Sequence, residues 1–131
     1  MNIKQSTASW TERLESSDQS AKTIVAEIDG LIVGYIGVGI SRDHGASEVG
    51  ELYTIYVDPS HQSRGVGSAL IRAGIKFLKS KSLNKATLWV FERNAQAIKY
   101  YEAHGWNPTG KSKLDKLDDF ELLEIQYAIV F

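Results

Sequence analysis

The stretch Gln62-Ser63-Arg64-Gly65-Val66-Gly67-Ser68 carries the clearest chemical signal in the chain. Glycines at 65 and 67 let the backbone touch a ligand oxygen and adopt positive φ at little cost. The helix that follows begins with N–H groups that have no intrahelical partner, and its dipole places partial positive charge there. Such a turn holds an anion. Arg64 stands inside the turn, where a guanidinium reaches a diphosphate. Between Asp58 and Glu92 there is no acidic residue, while Arg64, Arg72, Lys76, Lys79, Lys81 and Lys85 are basic in a chain of formal net charge −1. Lys76 and Lys79 read as a solvated helix face near the C-terminal end, where cations are favoured anyway. Spacing excludes two familiar phosphate loops: Leu70 stands where the dinucleotide fingerprint needs its third glycine, and no Gly-Lys-Ser/Thr completes a Walker loop. The chain has no cysteine, which excludes a disulfide, a zinc-thiolate site and a thiol nucleophile. His44, His61 and His104 match no metal-ligand spacing, so no metal is expected; His61 lies near the turn, and the other two are expected to face solvent.

The elements that position this turn follow from periodicity. Leu52, Tyr53, Ile55, Tyr56 and Val57 show little polar alternation and predict a strand covered on both faces, ended by Pro59. Val66, Ala69, Leu70, Ala73 and Phe77 predict a helix from Gly65 to about Lys79. Upstream, Thr23 to Asp29 and Leu31 to Ile40 are β-rich runs joined by Asp29-Gly30, a hairpin signal. Gly34, Gly37 and Gly39 inside the second run suggest bulges or close packing, and Ser41 to Gly50 reads as a loop. Residues 1 to 22 give a thin helix signal from a Ser9/Glu12 capping box with Trp10 and Leu14 on one face. Downstream, Ala86 to Phe91 predicts a buried strand. Asn94 caps a helix from Ala95 to His104 that Gly105 closes. Lys111 to Asp119 reads as a polar, mobile connection, and Phe120 to Phe131 as a long antiparallel strand.

This order predicts an α/β chain with a mixed, mostly antiparallel central sheet flanked by helices. Gln62 to Gly67 matches the Q/R-x-x-G-x-G/A signature of the GCN5-related N-acetyltransferases. The resemblance extends through GELYTIYVDPSHQSRGVGSAL and TLWVFERNAQAIKYYEAHGW in the right order, covering roughly residues 10 to 131. It implies one domain, 1–131, with the acyl-CoA N-acyltransferase-like fold and an acetyl-CoA-binding core over 50–110. Only nine residues precede Trp10, so the usual first strand and helix are missing or replaced, and 1–22 is expected to be a shortened helical segment. The implied reaction transfers the acetyl group of acetyl-CoA to a primary amine by direct attack on the thioester.

The resemblance also implies residue roles. The backbone of Ile55, Tyr56 and Val57 pairs with the pantetheine arm, and Gln62, Ser63, Arg64, Gly65, Val66, Gly67 and Ser68 hold the diphosphate. Asn94 touches the coenzyme besides capping its helix. Tyr101 aligns with the family tyrosine that donates a proton to the leaving thiolate; the alternative is a tyrosine that only fills the core. Glu51 is the family-like base, acting directly or through water; the alternative is an ordinary solvated carboxylate at a strand end. In some relatives a carboxylate on the following strand serves as base, but Trp89 stands at that position here.

Composition bounds the rest. A length of 131 residues with 43% hydrophobic and 24% charged residues suits one soluble domain. An isoelectric point near 6.3 offers no global attraction to nucleic acid. No apolar run approaches membrane-spanning length, no signal peptide is evident, and a cytoplasmic enzyme is expected. The acceptor is a small-molecule amine or a peptide or protein amino group. Apolar strands near a sheet edge suggest a homodimer. A non-catalytic acetyl-CoA-binding or regulatory module is the alternative.

Overall fold

Asp29 and Gly30 take φ of 52° and 81°, the left-handed pair that a two-residue hairpin turn requires. They join β2 (Ala21–Ile28) to β3 (Leu31–Ile40) as expected. The computed structural model describes residues 9–13, 20–43, 48–62, 64–117 and 119–131. Around the hairpin lie β1 (Ser9–Arg13), β4 (Gly50–Val57), a 3-10 turn (Pro59–His61), α1 (Val66–Ser80), β5 (Lys85–Phe91), α2 (Ala95–Ala103), β6 (Asn107–Leu117) and β7 (Phe120–Val130). The strands form one seven-stranded sheet in the order β1-β2-β3-β4-β5-β7-β6. Only β4 and β5 run parallel.

Three expectations are corrected. Residues 9–13 form a strand, not part of a helix: Ser9 lies opposite Glu27 and Arg13 opposite Thr23. A short helix with one apolar pair cannot offset its nucleation cost, whereas the outer edge of β2 supplies ready-made hydrogen-bond partners. The rest of the expected helical segment, 1–8 and 14–19, lies outside the described residues. Second, most of the supposed connection Lys111 to Asp119 belongs to β6. It pairs with β7 over Ser112 to Leu117, and its polar composition reflects an edge strand, where charges discourage further pairing. Third, β4 is not covered on both faces along its length, since Thr54 and Tyr56 are exposed.

Both described helices pack on one face of the sheet. Helix α1 presents Val66, Leu70, Ile71, Gly74, Phe77 and Leu78 at helical spacing. Leu70 and Ile36 are fully buried, so Leu70→Ala would cost about 2–5 kcal/mol. Gly74 permits the contact: a Cβ there would lie 2.9 Å from Val38 Cγ1. In α2, Asn94 caps the start by accepting from the Ala97 N–H at 3.2 Å. Gly105, at φ 93°, follows the C-terminal end. The Tyr101 ring packs against Trp106 at 5.9 Å. Glu102 accepts a hydrogen bond from the Tyr127 hydroxyl at 2.7 Å, which ties α2 to β7.

Candidate active site

Strands β4 and β5 share only the rungs Gly50–Ala86 and Glu51–Thr87. Beyond them the strands part, β4 continuing to Val57 and β5 to Phe91. The outer edges stay paired, β4 with β3 and β5 with β7. From Leu52 to Val57 the main chain of β4 therefore faces a notch with no strand partner among the described residues. An extended arm bearing amides adds there as a strand would, and Ile55, Tyr56 and Val57 lie along it.

At the far end of the notch the turn is braced. Asp58 accepts from the Ser60 N–H at 3.2 Å and also bonds the Ser60 hydroxyl. Its carboxylate lies 3.2 Å from His61 Nδ1. The Ser60 hydroxyl and then His61 hold the Asp58 carboxyl below its ordinary pKa. His61 is thus tied to Asp58. The Gln62 side-chain amide donates to the Val57 carbonyl at 3.3 Å, closing the end of the notch. Gly65 takes φ 84° as the cap of α1, a conformation that favours glycine. Arg64 is exposed beside it, and Ser63 lies outside the described residues.

A cavity of about 540 Å³ lies at the notch. Ile55, Val57, Gln62, Gly65, Gly67 and Ser68 form one wall, with Asn94 and Tyr101 opposite. Sequence reasoning missed Tyr100, which joins this wall. Its hydroxyl would meet a Cβ at Gly67 at 3.4 Å, and no local motif reports that proximity. Val66 is buried in the core instead. Tyr56 turns to the opposite face and stacks on Tyr35 at 5.7 Å. A further groove of about 450 Å³, between α1 and β2, lies away from the notch. Tyr101 is only 8% exposed; burial first, and the neighbouring Tyr100 second, push its phenol up to about 12.

Glu51 sits at the apex of the notch on the face away from the helices. Gly50 faces Leu78 of α1, so the next residue along the strand points the other way. Its side chain is not a solvated strand-end carboxylate: the residue is 1% exposed. Oε1 accepts the Arg42 N–H at 2.8 Å and Oε2 accepts from Arg42 Nη2 at 2.9 Å. That bond holds the Arg42 guanidinium above its ordinary pKa. Each carboxylate oxygen keeps capacity for a further donor. The buried polar residues Ser41, Glu51, Thr87 and Gln126 gather around this apex. Gln126 donates to Asp43 at 2.9 Å and accepts from the Thr109 hydroxyl at 2.8 Å. Thr87 Oγ1 and Trp89 Nε1 are buried without a partner among the described residues. The Lys113 ammonium lies 4.3 Å from the centre of the Trp89 ring.

The parted sheet, the glycine turn and the polar apex meet at one notch along β4, with a shape and chemistry suited to an extended, anionic ligand. The chain belongs to the Acetyltransferase (GNAT) family, which it matches over residues 2–106. It is 34% identical over 92 residues to the mycothiol acetyltransferase of Acidimicrobium ferrooxidans, covering 70% of this chain and 30% of that protein. It is also 34% identical over 119 residues to the L-amino acid N-acetyltransferase AaaT of Escherichia coli, covering 90% and 72%. Nourseothricin acetyltransferase superposes with a TM-score of 0.74 at 26% identity, covering 90% of this chain and 69% of the other. The chain spans about a third of the length of the mycothiol acetyltransferases it matches.

Acetyl-CoA is the cosubstrate found with solved relatives of this fold. The residues present fit it: the notch offers unpaired main chain for the amides of its arm, the glycine turn stands at the anionic end, and the cavity between them is open.

Proposed function

We propose that this protein is an N-acetyltransferase that moves the acetyl group of acetyl-CoA to a primary amine, with α-amino acids and related small amines as the acceptor class. The observation that carries the reading is the notch: β4 leaves β5 after Glu51 and runs, with that edge unpaired, toward the turn that bears Gly65 and Gly67. The AaaT relative, named for L-amino acids and matched over most of both chains, supports the acceptor class.

The bound coenzyme supplies an acyl thioester whose carbonyl the amine attacks. The main chain of Ile55, Tyr56 and Val57 aligns the arm, and a main-chain N–H of β4 polarises the carbonyl. Gln62 to Ser68, with Ser63 among them, hold the diphosphate, helped by Arg64 and by Asn94 across the cavity. The amine approaches from the face of Glu51. As the C–N bond forms and the C–S bond breaks, Tyr101 donates its phenolic hydrogen toward the sulfur. Burial keeps the phenol protonated at any working pH, and the same surroundings raise the proton affinity of the departing thiolate. Glu51 receives the ammonium proton through water, using the lone pairs that Arg42 leaves.

The reading also places the protein in the cytoplasm; no helix among the described residues is long and apolar enough to cross a membrane. It pairs two copies as a homodimer through the apolar side chains exposed on the β6–β7 hairpin, Leu114 and Phe120. The edge of β2 does not serve, because β1 covers it. Light scattering after size exclusion tests the dimer, and a monomeric mass at micromolar concentration with acetyl-CoA present overturns it. For the activity, calorimetry with acetyl-CoA comes first, followed by thiol release with the L-amino acids and simple amines. Absence of coenzyme binding overturns the whole reading. Binding without thiol release from any amine points to the non-catalytic module.

A further inference from the structure

One cluster of side chains joins Ser68 to two residues that have no part in the scheme above, Tyr100 and His104. His104, the residue after α2, lies with its ring 4.2 Å from that of Tyr100. Its Nδ1 is 2.7 Å from the Tyr100 main-chain oxygen, and its Nε2 is 3.3 Å from Ser68 Oγ. Ser68 Oγ is in turn 2.9 Å from the Tyr100 hydroxyl. Ser68 and Tyr100 line the cavity, and His104 is exposed to solvent behind them.

Donor and acceptor counting fixes the directions. A carbonyl oxygen only accepts, so His104 Nδ1 carries hydrogen and donates to it. In the neutral ring Nε2 then accepts, and the one hydroxyl hydrogen of Ser68 goes to it. Ser68 Oγ is left to accept from the Tyr100 hydroxyl. Both hydroxyl hydrogens are thereby committed within the wall, and what remains toward the cavity is lone pairs, which repel phosphate oxygens. When the ring gains a proton the chain reverses: Nε2–H donates to Ser68 Oγ, and the Ser68 hydrogen is released.

We infer that Tyr100 and His104 belong to the coenzyme-binding machinery: protonation of His104 frees a hydroxyl donor at Ser68 and Tyr100 for the diphosphate oxygens of the coenzyme. The inference rests on the coenzyme site proposed above. Histidine is the side chain whose charge ordinarily changes between about pH 5 and 8, so coenzyme affinity rises as the medium becomes mildly acidic. Charged groups on the packed elements are Arg64 in the turn before α1, Arg72, Lys76 and Lys79 on α1, and Lys99 and Glu102 on α2. Glu102 is bonded to the Tyr127 hydroxyl. The other imidazole of the turn, His61, faces Asp58.

The test uses dephospho-coenzyme A, which lacks the 3′-phosphate that would itself titrate in this range. Its dissociation constant is measured by calorimetry at about pH 8 and about pH 5.5, and the wild-type protein is expected to bind about fivefold more tightly at the lower value, the difference between a neutral and a charge-assisted hydrogen bond. His104→Gln keeps a polar group but cannot titrate, and Ser68→Ala keeps the imidazole but removes the hydroxyl; both are expected to flatten the dependence. A slope that survives in His104→Gln belongs to another titrating group and overturns the inference. A slope lost in His104→Gln but kept in Ser68→Ala means that the imidazolium acts by charge alone, which overturns the relay. A wild-type protein that binds equally at both values overturns it as well. Failure to bind the probe at either value removes the coenzyme site itself, a result distinct from the others.

Discussion

The side of the notch proposed for the coenzyme draws on two short chain segments, Ile55 to Ser68 and Asn94 to Tyr101. The side proposed for the acceptor gathers Arg42, Asp43, Glu51, Thr87, Thr109 and Gln126 from five separate stretches, with Asp43 and Gln126 bonded across 83 positions. The first side works through main chain and glycine, the second through polar side chains, with the buried Glu51 and Gln126 bonded to Arg42, Asp43 and Thr109. Glycine turns and helix starts tolerate many neighbours, so the coenzyme side can persist while the acceptor side is rebuilt. A shared family therefore defines the coenzyme more firmly than it defines the amine.

The largest effect is expected where the coenzyme side leaves no room. A Cβ at Gly67 would point at the Tyr100 hydroxyl from 3.4 Å, with Val57 Cγ2 at 3.8 Å. In Gly67→Trp the indole fills the cavity while α1 keeps its core face. Acetyl-CoA at a hundred times its dissociation constant stabilises a native protein by about 2.7 kcal/mol. Thermal melts should show that shift in the wild type and none in the variant. A retained shift would mean that the ligand lies elsewhere and that the two sides are wrongly assigned.

Tyr101 tests whether the helix face contributes chemistry as well as binding. Tyr101→Phe keeps the ring against Trp106 but removes the hydrogen. Turnover is expected to fall about 100-fold, with acetyl-CoA affinity unchanged. The folded pKa, about 12, lies above the ordinary 10.0. The contribution to stability is therefore complete below pH 10 and is lost as pH rises toward 12. Alkaline melts of the variant should lack this loss. Unchanged turnover at saturating substrates would return Tyr101 to the core.

Glu51→Gln addresses the other face. The amide preserves shape but not charge, and it presents a donor where Arg42 also donates. A stability loss of about 1–3 kcal/mol is expected, moderated because the Arg42 side chain is 65% exposed and can rehydrate. The rate should fall and recover in part at high pH, where more of the amine is already neutral. A wild-type pH profile in a stable variant would leave Glu51 only its structural bond.

The same contrast explains what could be read from the chain alone. The hairpin at Asp29-Gly30, the Asn94 cap, the glycine turn and Tyr101 are local signals, each spanning a few residues, and each falls where expected. The bond between Glu51 and Arg42 joins a strand to a loop with no periodicity, and the burial of Gln126 depends on β6 and β7. Strand β6 is hard to read because an edge strand needs no apolar face, and Lys111 to Lys116 are all exposed. Residues 9–13 were hidden by the opposite fault: Ser9 and Glu12 resemble a cap, but pairing with β2 outweighs it. His104 is exposed as expected, but its contact with Ser68 leaves no trace in spacing.

The smallest effect separates two roles of a single side chain on the coenzyme side. Asn94 Oδ1 accepts from the Ala97 N–H at 3.2 Å, and the residue also lines the cavity. Asn94→Ala removes both functions and should lower stability by about 1 kcal/mol, the usual worth of an N-cap. Asn94→Ser restores an oxygen at cap distance, because serine is nearly as good a cap, but it lacks the amide Nδ2 donor. Melts should therefore place the serine variant close to wild type and the alanine variant below both. Calorimetry with acetyl-CoA should instead group the two variants together, each a few-fold weaker than wild type, as expected from loss of one hydrogen bond. If serine restores affinity along with stability, Asn94 acts on the coenzyme only by holding the start of α2 in place, and the direct contact is removed from the site.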